Sequence, residues 1–191
     1  VLNLDDCQVG PNDAASDLSI CLQKSPRLQA LILNGNSLEL DGLQQVLNAL
    51  QGSHAALRHL DLGANGELGE QGGALIGTYL MESAHYLEYL NVEANELGNE
   101  GIAHIAAGAY HTRVKELNLE ANEITDVTCL LENPMDALNI LNLTDNMDLE
   151  VAQVLQLKKV YATVLVDDDI QEQLDEGVNV LANVLGLTHL D

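Results

Sequence analysis

The chain has no phenylalanine, no tryptophan and only five tyrosines, so its core has to be built from Leu, Ile, Val and Ala. Without large aromatic wedges, thin repetitive layers filled by one aliphatic type at a time are favoured over a thick globular core. Positive charge is scarce as well: seven Lys and Arg stand against 30 Asp and Glu, a formal charge of −23. Such a surface repels phosphate backbones and anionic headgroups, which argues against nucleic acid and membrane surfaces as partners and for a protein with a basic surface. The three cysteines, Cys7, Cys21 and Cys129, are odd in number and widely spaced. They give no disulfide framework, and the expected setting is a reducing, intracellular and cytoplasmic one. No run approaches the roughly 18 apolar residues of a membrane span, so no membrane insertion is expected. The chain opens at Val1 already inside a repeat, and it reads as a fragment with upstream repeats or a cap.

What is present is periodicity. The pattern LxxLxLxxN recurs as Leu28, Leu31, Leu33, Asn36; Leu57, Leu60, Leu62, Asn65; Leu87, Leu90, Val92, Asn95; Val114, Leu117, Leu119, Asn122; and Leu138, Leu141, Leu143, Asn146. A partial copy, Leu2, Leu4 and Cys7, comes first, and a degenerate one, Tyr161, Val164, Val166 and Asp169, comes last. In an extended segment alternate side chains face opposite ways, so each LxL buries two aliphatic residues and turns the one between them outward. The recurring Asn closes the bend and satisfies backbone groups of its own and the neighbouring coil.

Between the earlier strands the period changes to that of a helix. Leu43, Val46, Leu47 and Leu50 fall on one helical face, and Leu75, Ile76, Tyr79 and Leu80 do the same. Gly42, Gly72 and Gly101 recur near the helix starts, where a missing Cβ lets neighbouring coils approach. The architecture expected is an α/β solenoid, a horseshoe with a parallel concave sheet and convex helices, because strands stack about 4.8 Å apart while helices need about 10 Å. Residues 1–169 form the solenoid, about six repeats and a degenerate terminal strand, and 170–191 a C-terminal capping helix and tail. Strand spacing shortens along the chain, as 29, 29, 30, 27, 24 and 23 residues, so full helices are not expected in the last coils. After the last strand, Ile170, Leu174, Val178, Leu181 and Leu185 mark the apolar face of the capping helix, with Asp169 and Glu172 as a capping box.

The stretch from Asn95 through Leu97, Gly98, Glu100, Gly101, Ile102, Ala103, Ile105 and Ala106 has the form NxLGxEGIAxIA. It resembles the ribonuclease-inhibitor class of leucine-rich repeats, and especially the Ran GTPase-activating proteins. The resemblance spans about residues 1–147 at the level of the repeat and implies the horseshoe fold. As an activity it implies activation of a Ran-like small GTPase by an asparagine presented from loops or the concave edge. The residues before the ladder asparagines, Ala64, Ala94 and Ala121, offer no such group, and this activity stays the alternative to a non-catalytic interaction or scaffold module.

No spaced Cys/His set, phosphate-binding glycine loop or nucleophile motif is present, so no catalytic residue, metal or cofactor is assigned. His54, His85 and His111 each precede a strand copy, but stacked repeats hold equivalent positions farther apart than the ~2 Å ligand distances of a shared ion allow. The residues left free by the repeat are those facing outward along the strands. The column between the buried leucines holds Asn3, Ile32, Asp61, Asn91, Asn118, Asn142 and Leu165, and the next holds Asp5, Asn34, Gly63, Glu93, Glu120, Thr144 and Asp167. Asp61, Asn91, Glu93, Glu116, Asn118, Glu120 and Asn142 are the candidate partner-binding residues. The expected partner is a basic protein surface, of a small GTPase or a larger assembly, drawn to mutually repelling carboxylates on an exposed face.

Overall fold

Each LxL segment forms a short strand, and each helical stretch carries the chain back to start the next one. The computed structural model describes residues 1–10, 14–66, 68–146 and 148–184, with side chains described through residue 177. Seven strands alternate with seven helices among the described residues: β1 (Leu2–Asn3), α1 (Ala14–Gln23), β2 (Ala30–Ile32), α2 (Glu39–Ser53), β3 (His59–Asp61), α3 (Gly69–Ser83), β4 (Tyr89–Asn91), α4 (Gly98–Ala109), β5 (Glu116–Asn118), α5 (Thr128–Glu132), β6 (Ile140–Asn142), α6 (Val151–Val160), β7 (Thr163–Leu165) and α7 (Asp168–Val184). The strands pair in chain order in one parallel sheet, the expected horseshoe of sheet inside and helices outside. Leu31, Leu60, Leu90, Leu117, Leu141 and Val164 lie in register across it. All are buried, as are Leu43, Val46, Leu47 and Leu50 on the facing side of α2.

Asn36, Asn65, Asn95, Asn122 and Asn146 are all fully buried. Their amides work in one direction along the stack. Asn95 Oδ1 accepts the N–H of Asn65 at 2.9 Å, while its Nδ2 donates back to the carbonyls of Leu62, Val92 and Glu93. Asn122 accepts from Asn95 and Leu97, and Asn146 from Asn122 and Ile124. Cys7 at the first ladder position is exposed, and its own N–H donates to Asn36 Oδ1 at 3.0 Å. To aim these amides inward the preceding residue turns left-handed, with φ of 67° at Gly35, 49° at Ala64, 50° at Ala94, 52° at Ala121 and 55° at Asp145. A Cβ in this region costs roughly 1–2 kcal/mol, which the bonded asparagine offsets; the small residues there follow from backbone geometry.

Four expectations need correction. Close helix approach does not lie where Gly42 and Gly72 recur: a Cβ on Gly42 would meet only ordinary contacts and one on Gly72 would press on its own Leu68. The tight contact is between α3 and α4, where a Cβ on Gly73 would strike the backbone of Gly101, one on Gly77 the carbonyl of His104, and one on Gly108 the carbonyl of Gly77. The last coils are not uniformly poor in helix. α5 has 5 residues but α6 has 10, because Pro134 blocks helix continuation after α5 and residues 133–139 run outside helix and strand, whereas only Tyr161 and Ala162 separate α6 from β7. Asp169 is neither a ladder residue nor an N-cap: it is exposed inside α7. Asp167 takes the N-cap place, its carbonyl accepting the Gln171 N–H, and its Oδ1 accepts the Asp145 N–H, the bond that a backbone carbonyl accepts in the earlier coils. Ile170 and Leu174 are buried as expected. The side chains of Val178 and Leu181, and Leu185 altogether, lie outside the described residues.

Candidate functional site

Strand register brings the candidate residues together. Asp61, Asn91, Asn118 and Asn142 stand side by side on β3, β4, β5 and β6, with Glu93 and Glu120 two residues beyond the ends of β4 and β5. Glu116 opens β5.

The carboxylates are not left to repel one another, because amides stand between them. Asn91 Nδ2 donates to Asp61 Oδ1 at 3.0 Å, and Asn142 Nδ2 donates to Glu120 Oε2 at 2.9 Å. Glu93 takes two donors: Asn34 Nδ2 at 3.1 Å on Oε1 and Asn118 Nδ2 at 2.6 Å on Oε2. Its reach to Asn34 passes over Gly63, two residues beyond β3, where a Cβ would crowd Asn34 Nδ2 at 2.6 Å and Glu93 Cγ at 2.9 Å. The other end of each amide is used by its own strand, since Asn91, Asn118 and Asn142 Oδ1 accept the N–H of Glu93, Glu120 and Thr144. Asn91, Asn118 and Asn142 are thus each bonded at both ends, and their role is to position carboxylates.

Two exposure expectations change as a result. Asn91 is buried at 4 % exposure, because Asp61 on one side and the Glu93 backbone on the other cover its polar ends. Glu93 and Glu120 are half-buried rather than exposed, while Glu116 is exposed.

Outward alternation continues one step earlier on each strand, and that column was missed apart from Glu116. His59, Tyr89 and Glu116 are in register on β3, β4 and β5. His59 and Tyr89 stack face to face, with ring centroids 4.1 Å apart and planes 4° apart. Burial, and after it the charges of Asp61, Glu93 and Glu116, hold the Tyr89 phenol above its ordinary pKa. Where the strands begin, Glu88 joins Arg58 and Lys115 in ion pairs, that with Lys115 at 2.8 Å. The Lys115 hydrogen bond leads in pulling its carboxyl below the ordinary value, opposed by partial desolvation and aided by the charge of both cations. The signal available in the sequence was the two-residue step back from Asp61 and Asn91.

Elsewhere, Arg113 lies over the Tyr86 ring at 5.7 Å from its centroid, and all three cysteines are free. Among the described residues no group of three or more His, Cys, Asp or Glu is arranged to hold a metal ion, and no helix is long and apolar enough to cross a membrane. A search of curated proteins gives no match. Residues 83–106, from the end of α3 through β4 into α4, match the family model described as a leucine-rich repeat, and they hold the NxLGxEGIAxIA stretch, Tyr89, Asn91 and Glu93.

Proposed function

We propose that this chain is a protein-recognition module whose concave face takes a basic partner surface on Asp61, Glu93, Glu116 and Glu120. One observation carries the reading: the carboxylates of Asp61, Glu93 and Glu120 are held by neighbouring amides in a fixed row, so little of their side-chain freedom is lost when a cation arrives. The excess of acidic residues over the whole chain adds long-range steering of a basic partner.

Asp61→Asn with Glu116→Gln tests this while sparing the fold, because Asp61 uses one oxygen, Oδ1, for its bonds from Asn91 and Gly63 and Glu116 is exposed. Association with a basic protein partner should slow in the double variant and slow in the wild type as salt rises, over a Debye length of about 8 Å at physiological strength. Equal rates in both proteins at every salt concentration would sink the proposal. The resemblance to Ran activators keeps GTPase activation as the second reading. Acceleration of single-turnover GTP hydrolysis by a Ran-like GTPase would put that reading first.

A further inference from the structure

We propose that the concave face carries a subsite for an arginine side chain of the partner, with the Tyr89 ring as its platform and Glu116, Asp61 and Glu93 as its counter-charges. The proposal rests on the concave-face reading and names the side chain that face takes. His59 covers one face of the Tyr89 ring. The two rings are parallel and sit on adjacent strands, so the stack runs across the sheet and the other face of Tyr89 looks toward β5, at Glu116. Glu116 makes no side-chain hydrogen bond among the described residues and is exposed. With strands about 4.8 Å apart, a planar group in contact with the ring lies above Glu116.

A depression of about 440 Å³ opens there, lined by Arg58, His59, Glu88, Tyr89, Lys115 and Glu116. Its two cations are paired with Glu88 between them. That leaves Glu116, Asp61 and Glu93 without a cationic partner among the described residues, so the subsite calls for positive charge. Guanidinium suits it better than ammonium, because a planar cation stacks on a ring and donates in its own plane to carboxylates at once, while an ammonium is a strongly hydrated point charge. After burial, the leading cause, the charges of the three carboxylates raise the Tyr89 phenol, so all three lie near its oxygen.

The test uses capped tetra-arginine and tetra-lysine peptides, with the chain carbon-13 labelled in its five tyrosine rings. Tetra-arginine should bind about threefold or more tightly, and the Tyr89 ring signal should move with it more than the Tyr86 and Tyr110 signals do. Tyr89→Leu should bring tetra-arginine down to the affinity of tetra-lysine, and Tyr89→Phe should keep the preference. Equal affinities in the wild type, a preference that survives Tyr89→Leu, or ring shifts confined to Tyr86 and Tyr110 would each overturn the arginine subsite. The wild-type ring signals decide this even if Tyr89→Leu fails to fold. If the Asp61→Asn, Glu116→Gln variant bound both peptides as tightly as the wild type, the polycations would sit elsewhere and the concave-face reading would fall too. Equal peptide affinities in the wild type, both weakened in that variant, would overturn only the arginine preference.

Discussion

Between α3 and α4 two helices meet backbone to backbone through Gly73, Gly77, Gly101 and Gly108, whereas the C-terminal coils are joined by side chains. There, Tyr161 Oη donates to the Leu130 carbonyl at 2.9 Å and accepts the Met135 N–H at 3.4 Å. Asn99 Oδ1 accepts the N–H groups of Thr125 and Asp126, and Gln153 Oε1 accepts that of Val127. The α3–α4 contact is thus fixed by the absence of side chains and the coils after α4 by reaching side chains, although both carry the same ladder. One repeat tolerates two means of stacking because the ladder, and not the helix, sets the register.

The sharpest way to break this contrast is a pair of Gly→Ala changes. Gly77→Ala should destabilise by about 1–3 kcal/mol through overpacking against the His104 carbonyl. Gly177→Ala in α7, where an added Cβ meets nothing within 4 Å, should stabilise by about 0.5–1 kcal/mol. Denaturant midpoints of the same sign for both would erase the distinction. Asn95→Ala probes the shared ladder. The carbonyls of Leu62, Val92 and Glu93 keep donors in Asn65, Asn122 and Ala64, so the loss is chiefly the stranded Asn65 N–H, about 1–3 kcal/mol. A neutral Asn95→Ala would deny that the ladder sets register. Tyr161→Phe should cost about 1 kcal/mol at the terminal clasp, and unchanged thermal unfolding would show that the short coil stands without it.

The smallest effect is chemical. Burial, then the charge of Asp126, pushes the Cys129 thiol up to about 11, while Cys7 and Cys21 are exposed. At pH 8 iodoacetamide should alkylate Cys7 and Cys21 first. Cys129 should gain only as pH rises toward its own pKa, because the reactive thiolate appears there. Peptide mass spectrometry that found Cys129 modified as fast as Cys21 would mean that the α5 coil is looser than described.

Much of this was legible in the residues. The LxL spacing located β2 through β7, because a period of two with buried leucines admits one register, and the ladder asparagines announced themselves by recurring inside an apolar layer. The carboxylate–amide pairing was not legible, since Glu93 reaches Asn34 only because Gly63 in the coil between them has no side chain. Nor was the His59–Tyr89 stack, which needs ring orientations as well as register. Gly73 and Gly77 were passed over for Gly42 and Gly72, because recurrence along a sequence marks a helix start and says nothing of which helix face meets a neighbour. Asp169 was misread for a related reason: it keeps the ladder spacing, but α7 begins one residue before it.

The asparagine ladder also gives the stack a direction. Each Oδ1 accepts from the coil before it, so peeling away the coil of Asn146 strands the N–H groups of Asn122 and Ile124. Peeling from the other end frees Asn36 Oδ1 from Cys7 and Val9, an acceptor that water reaches once the coil has left. A lone carbonyl-type oxygen is also more readily left without a partner than an N–H. The ladder is therefore polar: loss of a coil on its C-terminal side leaves unpaired donors, and loss of one on its N-terminal side leaves unpaired acceptors.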